Sequence, residues 1–94
     1  MNIKHNQDKE GGRFSALENE RKQGYLTYKI ETAEKILIDH TYVKEEHRKK
    51  GVGSKLVKAA IDFARENNLL IIPQCPFAEA EFQENSEYQD VLAK

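Results

Sequence analysis

The sequence contains a single cysteine, Cys75, so the chain cannot form an internal disulfide. Small secreted domains are often rich in disulfides, whereas the cytosol is reducing, and this absence favours a cytoplasmic protein. The longest apolar run, from Leu69 to Ile72, is far too short to span a bilayer. The first residues do not form the apolar segment of a signal peptide. We therefore predict a cytoplasmic protein with no membrane partner.

The sequence also has little net charge, because 15 basic side chains nearly balance 16 acidic ones and leave a formal charge of −1. Such a balance gives no global attraction for nucleic acid. The charge is uneven, since residues 44–58 are basic and residues 79–90 are acidic. The histidines and the cysteine do not have the spacing of a metal site. We predict one domain over residues 1–94, with no metal and no nucleic-acid partner.

Hydrophobic periodicity predicts an α+β (α/β) fold with the order β-β-β-β-α-β-α. The predicted elements are strands near Ile3 and over residues 13–18, 25–31 and 35–43, a helix over about 51–67, a strand over 69–74 and one or two short helices over 77–94. A helix between two strands of one sheet implies a parallel, right-handed crossover. The chain is thus expected to form an antiparallel β-meander that leads into one crossover helix. His5 falls in a terminal segment that we expect to be mobile, and the segment 7–12 is expected to be a turn or a mobile loop.

The segment 48–54 combines three basic residues with two glycines and leads directly into the predicted helix. The first N–H groups of a helix have no intrahelical partner, and the helix dipole places partial positive charge there. Glycines let a phosphate approach the backbone closely. The pattern lacks the third glycine of a dinucleotide fingerprint and the Gly-Lys-Ser/Thr of a Walker A loop. It therefore predicts a diphosphate site formed by Arg48, Lys49, Lys50, Gly51, Val52, Gly53 and Ser54.

Two chemically versatile side chains follow the strands of the predicted parallel pair. His40 lies near the end of the strand 35–43, and Cys75 follows the strand 69–74. The carboxyl ends of parallel strands meet at one edge of the sheet, where ligands bind in open α/β sheets. We therefore expect His40 and Cys75 to face one cleft beside the diphosphate site. Each also has a simpler interpretation, as a strand histidine against Tyr42 and as a small buried hydrophobe.

Three separated motifs resemble those of the GNAT acetyltransferase superfamily. The segment Arg48–Gly53 has the Arg-x-x-Gly-x-Gly spacing of its acetyl-CoA signature, and it lies between a strand and an amphipathic helix. Together with IDHTYV, IIPQCPF and SEYQDVL, it is similar to the minimal GNAT group typified by the bacterial YjdJ-like proteins, over about residues 25–92. The resemblance implies a reduced GNAT fold, acetyl-CoA binding and N-acetyltransfer to an amine. The helices and strands that complete the acceptor pocket in larger members have no counterpart here.

The resemblance implies catalytic roles for His40 and Cys75 and a pantetheine contact through Thr41, Tyr42 and Val43. An amine with the ordinary lysine pKa of about 10.4 is almost fully protonated at neutral pH, and histidine is the side chain best suited to accept its proton. We favour direct transfer to the amine, with Cys75 in or beside the acetyl pocket. An acetyl-cysteine route is the second possibility, because a thiolate can take the acetyl group. The acceptor is a small molecule or a protein amine, and the protein is expected to be a monomer or weak dimer.

Two functions from other classes compete with this prediction. The first is an acetyl-CoA or CoA-binding module, or a sensor, with little turnover. The second is a nucleic-acid contact through the basic face of residues 44–58, which the low net charge and the lack of interleaved aromatic residues disfavour.

Overall fold

The computed structural model describes residues 1–93, apart from the side chain of Lys49. It contains strands β1 (Asn2–Gln7), β2 (Gly11–Glu18), β3 (Arg21–Thr32), β4 (Lys35–Val43) and β5 (Leu70–Pro73), helices α1 (Val52–Glu66) and α2 (Pro76–Glu84), and 3-10 segments Glu45–Lys50 and Ser86–Val91. The strands form one sheet in the order β1-β2-β3-β4-β5. Neighbouring strands are antiparallel from β1 to β4, and β5 is parallel to β4. The predicted meander with one parallel crossover is confirmed.

The turns between the first three strands are shorter than the sequence suggests. Asn19 and Glu20 connect β2 to β3, and both have positive φ angles, of 52° and 66°. Two such residues in succession are typical of the type I′ turn, whose twist matches that of a hairpin. The first turn contains only residues 8–10, where the Asp8 carboxylate accepts hydrogen bonds from the N–H groups of Glu10 and Gly11. The predicted turn over residues 7–12 is therefore too long, because its first residue belongs to β1 and its last two belong to β2.

Helix α1 packs on one face of the sheet, where it contacts β2, β3, β4 and β5. Seven of its residues are buried: Val52, Gly53, Leu56, Val57, Ala60, Ile61 and Ala64. The sheet contributes the buried side chains of Phe14, Ala16, Leu26, Tyr28, Ile36, Ile38 and Ile71 to the same core. The helix ends at Glu66, and Asn68 after it has a φ angle of 55°, in the left-handed region that asparagine tolerates. The crossover helix thus covers the core face and starts beside the end of β4.

Hydrogen bonds join the C-terminal part of the chain to α1 and to the free edge of β5. Arg65 donates hydrogen bonds to both carboxylate oxygens of Asp90, at 3.0 Å each, and to the carbonyl of Glu87 at 2.7 Å. The pairing lowers the pKa of Asp90, chiefly through the hydrogen bonds from Arg65. The N–H of Ala93 donates to the carbonyl of Ile71 at 2.8 Å. These contacts hold the segment after α2 against α1 and β5.

One residue of β4 is inserted between its partners on β3, and this changes which side chains face the core. Tyr28 pairs with Ile38, whereas the neighbouring Thr27 pairs with His40, so Asp39 is the extra residue of a β-bulge. Directly opposed residues lie on the same face of a sheet. His40 therefore shares the outer face with Thr27, and Thr41 shares the core face with the fully buried Leu26.

His5 does not lie in a mobile terminus, contrary to the expectation from the sequence. Its ring stacks on Phe14 with the centroids 4.1 Å apart, and Phe63 packs edge-on against it at 4.6 Å. The Nε2 atom is hydrogen-bonded to the hydroxyl of Tyr28 at 2.7 Å. Burial lowers the pKa of His5 and raises the pKa of Tyr28 to about 12, with a further contribution from Asp8. β1 is therefore joined to the core by a histidine.

The outer face of the sheet, away from α1, carries side chains that are mostly exposed or half-buried. Helix α2 contacts the sheet through β4 and β5, and its buried residues Ala78 and Phe82 belong to the same core as those of α1. Among residues 1–93, no helix is long and apolar enough to cross a membrane.

Candidate functional site

A cavity of about 360 Å³ lies between the end of β4 and the start of α1, and we call it the β4–α1 cleft. Its lining consists of Thr41, Tyr42, Val43, Arg48, Gly51, Gly53, Ser54 and Phe77. Seven of these eight residues belong to the two segments, 41–43 and 48–54, that the sequence predicts to bind one ligand. The crossover brings them together because the chain leaves β4 at Val43 and turns through the 3-10 segment into α1.

The two glycines of the cleft are required for different reasons. Gly51 has a φ angle of +76°, in the left-handed region that glycine adopts without strain, and it forms the N-cap of α1. Gly53 lies inside the helix, where a Cβ atom would come within 2.6 Å of the Phe77 ring. Gly51 therefore allows the chain to enter the helix, and Gly53 leaves room for an aromatic ring.

Phe77 is a residue of the cleft that the sequence argument missed. It lies in the first turn of α2, is 41% exposed and covers Gly53 from the opposite side of the cleft. Cys75 followed by Pro76 is a recognisable helix start, because proline is favoured at the first helical position. That signal places an aromatic residue at the end of β5, but only the packing of α2 brings it to Gly53.

The basic residues before α1 do not all point into the cleft. Arg48 lines it, and its Nε donates a hydrogen bond to the carbonyl of Val43 at 3.0 Å. Lys50 is exposed and Val52 is buried in the core, and neither is part of the lining. The predicted role of the Lys49 side chain lies outside what the structure describes. Arg48 is thus the guanidinium that the structure places at the cleft.

Ser54 links the start of α1 to an acidic residue of α2. Its hydroxyl donates a hydrogen bond to Oε2 of Glu81 at 3.1 Å. A carboxylate beside a helix N-terminus is attracted by the helix dipole, and it would repel a phosphate bound nearby. The sequence pattern contains no signal for this pair, because 27 positions separate the two residues.

Cys75 lies at the point where β5 passes into α2, and its sulfur is buried between two polar groups. The Sγ atom accepts a hydrogen bond from the N–H of Ala78 at 3.3 Å, so Cys75 is the N-cap of α2. The Thr41 hydroxyl is 3.2 Å from the same atom. The residue itself is only 7% exposed.

The structure does not bring His40 to Cys75, although the sequence argument expected both to face one cleft. His40 is exposed on the outer face of β4, where its ring is 5.7 Å from that of Tyr25. The bulge at Asp39 shifts the alternation of the following side chains by one position. Thr41, and not His40, therefore lies beside Cys75. Strand alternation without the bulge would place His40 on the same face as Ile36 and Ile38, and a sequence pattern does not reveal a bulge.

The fold and the sequence both match a known family. The family model described as GCN5-related N-acetyl-transferase matches residues 13–91. The chain belongs to the GCN5-related N-acetyltransferase (GNAT) family. A GCN5-like protein from Staphylococcus aureus, solved by NMR, is 38% identical to this GNAT chain with a TM-score of 0.72, over 98% of this chain and 89% of the other. No curated protein matches the chain significantly.

More distant structures share the fold. A Bacillus anthracis protein solved in complex with acetyl coenzyme A is 23% identical with a TM-score of 0.63, over 82% of this GNAT chain and 46% of the other. Tetrahymena GCN5 is 17% identical with a TM-score of 0.64, over 93% of this chain and 62% of the other. The chain spans about half the length of the first of these proteins and about three fifths of the length of the second.

The cosubstrate of GNAT enzymes is acetyl-CoA, and the composition of the β4–α1 cleft fits such a ligand. The cleft combines the start of α1, with its free N–H groups, and one guanidinium, both of which favour phosphate. It also contains the exposed ring of Phe77, which offers an apolar surface to an alkyl chain.

Proposed function

We propose that this protein transfers the acetyl group of acetyl-CoA directly to an amine, with the β4–α1 cleft holding the CoA. The observation that carries the proposal is the lining of the cleft, in which the end of β4 faces the glycine-containing start of α1. One wall is extended backbone, suited to the amide groups of a pantetheine arm. The other is a helix N-terminus, suited to a diphosphate.

Different residues of the cleft would bind different parts of the CoA molecule. The backbone of residues 51–54 would receive the diphosphate, and Arg48 would balance part of its charge. The backbone of Thr41 to Val43 would accompany the pantetheine arm, and Phe77 would cover it. Acetyl-CoA supplies an activated thioester, whose carbonyl oxygen gains negative charge when an amine attacks. A backbone N–H near the bulge at Asp39, where the ladder with β3 is interrupted, is our candidate donor to that oxygen.

We assign the proton transfer to His40, on the outer face of β4. An amine that approaches from this face meets an exposed imidazole, whereas Cys75 is buried on the core face against Thr41. Histidine accepts protons near neutral pH, and direct transfer needs a base on the side of the amine. Cys75 is assigned to the wall of the acetyl pocket. Its burial and its role as a helix cap support a structural position rather than a carrier of the acetyl group.

A CoA-binding module with little turnover is the second candidate. The shape of the acceptor side favours it, because His40 lines none of the five cavities described among residues 1–93, which range from about 360 to 580 Å³. Enzymes that act on small molecules usually enclose them in such a cavity.

A titration with acetyl-CoA, followed by amide NMR shifts and by CoA release, tests both candidates. Binding in the β4–α1 cleft predicts shifts concentrated in residues 41–55 and in the first turn of α2. Release of CoA in the presence of amines and lysine peptides, faster than the hydrolysis seen without them, supports the transferase. Binding without such release supports the module, and the absence of shifts in these segments excludes both.

A further inference from the structure

The outer face of the sheet presents two parallel rows of side chains that run from β1 to the β4–α1 cleft. Cross-strand pairing defines them, since residues directly opposed on adjacent strands lie side by side. The first row contains Lys4, Ser15, Tyr25 and Tyr42, and the second contains Asn6, Arg13, Thr27 and His40. We call these eight residues the two-row surface.

The aromatic end of the two-row surface adjoins the β4–α1 cleft. Tyr42 lines the cleft and is 41% exposed, and its ring is 5.5 Å from that of Tyr25. Tyr25 in turn lies 5.7 Å from His40, and the guanidinium of Arg13 covers it at 4.3 Å. A molecule that rests on these rings would therefore be next to a thioester held in the cleft.

The shape of the two-row surface favours a macromolecule over a small molecule. Tyr25 and His40 line none of the five cavities described among residues 1–93, although Asn6 and Arg13 border one of about 420 Å³ and Tyr42 lines the β4–α1 cleft. Small ligands gain affinity by being enclosed, whereas macromolecules gain it from contact area on flatter surfaces with exposed aromatic and arginine side chains.

The charge of the two-row surface favours an acidic partner. Its permanent charges, Lys4 and Arg13, are both positive, and none of the eight residues is acidic. Three carboxylates border this surface, since Asp8, Glu10 and Asp39 line one cavity together with Asn6, Arg13 and Lys29. The carboxylate of Asp8 accepts hydrogen bonds from two N–H groups of its own turn. The carboxylate of Asp39 accepts a hydrogen bond from Thr27 at 2.7 Å and lies 4.0 Å from Lys29. Its negative charge is thus already partly compensated on the surface.

From these observations we infer that the two-row surface binds an acidic polypeptide segment and presents one of its amines to the thioester. The inference rests on the proposed transferase function and names its acceptor class. A polypeptide is favoured over a nucleic acid because lysine side chains and chain N-termini supply the basic amine that acetyl transfer needs. Two cations would also give a nucleic acid only a weak phosphate-neutralising contact.

The geometry predicts the spacing between the amine and the acidic residues. Adjacent strands are about 4.8 Å apart, so Arg13 on β2 is about 10 Å and Lys4 on β1 about 14 Å from β4. An extended peptide advances about 3.3 Å per residue. Acidic residues three and four positions from the acceptor lysine therefore match the two distances, and since successive side chains of an extended peptide alternate in face, the residue four positions away shares the face of the lysine.

Blocked peptides with one lysine, and with glutamate three and four positions away on both sides, provide the test. The controls carry glutamine at the same positions. We expect kcat/KM for CoA release to be about fivefold or more higher for the glutamate peptide, since each exposed ion pair contributes modestly. The double variant Lys4→Glu with Arg13→Glu should lose this preference and should instead favour a peptide with arginine at those positions. Lys9→Glu, a charge reversal in the turn between β1 and β2, should leave the preference unchanged.

Peptide binding to the CoA-saturated protein, mapped by NMR, separates this inference from the transferase function. Shifts at the two rows that disappear in the double variant support the surface even if no acetyl group is transferred. Equal turnover of the glutamate and glutamine peptides overturns the surface and leaves the transferase intact. Turnover of simple alkylamines with the same kcat/KM as the glutamate peptide, unchanged when Arg13 is replaced, also overturns the surface and leaves the transferase intact. Tighter binding of a single-stranded oligonucleotide than of the glutamate peptide at the same rows also overturns the inference.

Discussion

The hydroxyl of Thr41 lies 3.2 Å from the sulfur of Cys75, just beyond the last paired residues of β4 and β5. The two strands pair from Lys35 opposite Leu70 to Ile38 opposite Pro73. After that point β5 ends and α2 begins, with Cys75 as its N-cap. The thiol is therefore part of the junction that joins the sheet to α2, and this defines what its replacement should do.

Replacement of Cys75 should affect stability more than transfer. Cys75→Ser retains an acceptor for the Ala78 N–H and should be close to wild type in stability, whereas Cys75→Ala should lose about 1 kcal/mol, as other lost N-caps do. Both variants should retain the rate of CoA release within about threefold, because the direct route forms no bond to the thiol. Denaturant unfolding and CoA-release kinetics measure the two effects. An acetyl adduct on Cys75, detected by mass spectrometry, together with loss of transfer in both variants, would show the acetyl-cysteine route.

Replacement of His40 should slow transfer without weakening acetyl-CoA binding. General base catalysis contributes about 10²–10⁴-fold, so His40→Gln should lower kcat by about a hundredfold or more. Because His40 is exposed on the outer face, the variant should fold normally and keep its affinity for acetyl-CoA. His47→Gln, in the 3-10 segment before α1, is the matched control and should keep full activity. A His40→Gln variant with the wild-type rate at every pH would remove the histidine from the mechanism.

Gly53 should be needed both for folding and for binding, and the two effects can be separated. Gly53→Leu should destabilise the protein, because even its Cβ would approach the Phe77 ring within 2.6 Å. It should also abolish detectable CoA binding in calorimetry, since the side chain would enter the cleft. Adding Phe77→Ala should restore stability by making room, but it should not restore binding. Recovery of CoA affinity in the double variant would mean that Gly53 acts only through Phe77.

Removal of the Glu81 charge should strengthen CoA binding. Glu81→Gln retains an acceptor for the Ser54 hydroxyl and removes a carboxylate next to the proposed diphosphate site. We expect the affinity to rise about two- to fivefold at low ionic strength, and the gain should shrink as salt screens the charge. Glu84→Gln, an exposed change on the same helix, should have no effect. An unchanged affinity for Glu81→Gln at low salt would place the diphosphate elsewhere.

The stability of the fold should fall when the pH is lowered below about 6.5. Burial lowers the pKa of His5, so the unfolded chain binds a proton at a higher pH than the folded one. The stabilising contribution is complete above the ordinary histidine pKa and is lost as the pH falls through the lowered value. At the alkaline end the raised pKa of Tyr28, about 12, predicts a loss of stability as the pH rises from 10 towards 12. Urea unfolding of His5→Gln and Tyr28→Phe should show the acid and alkaline dependence, respectively, reduced.

The sequence predicts those parts of the fold that depend on local pattern. The periodic apolar positions of α1, the apolar run Ile36–Ile38 and the run before Pro73 are enough to predict the crossover helix and its two parallel strands. The glycines and basic residues before the helix predict where the cleft lies. These signals are local because each arises from the period or the conformational preference of a short segment.

The remaining features depend on contacts between distant segments. His5 enters the core because β1 pairs with β2, and Asn19-Glu20 forms a turn without the glycine that usually marks one. Phe77 and Glu81 reach the cleft only through the packing of α2. The bulge at Asp39 has no recognisable sequence signal, and it alone explains why His40 and Cys75 were expected on one face and are found on two.

The bulge also has a genetic consequence. Deletion of the single codon for Asp39 would join Ile38 directly to His40 and would restore regular alternation in β4 without changing the face of any residue that follows. His40 and Tyr42 would stay on the outer face and Thr41 on the core face, because Asp39 is the residue that has no partner of its own on β3. A one-residue deletion at this position should therefore be tolerated better than one in a strand without a bulge, where it would move every later side chain to the opposite face.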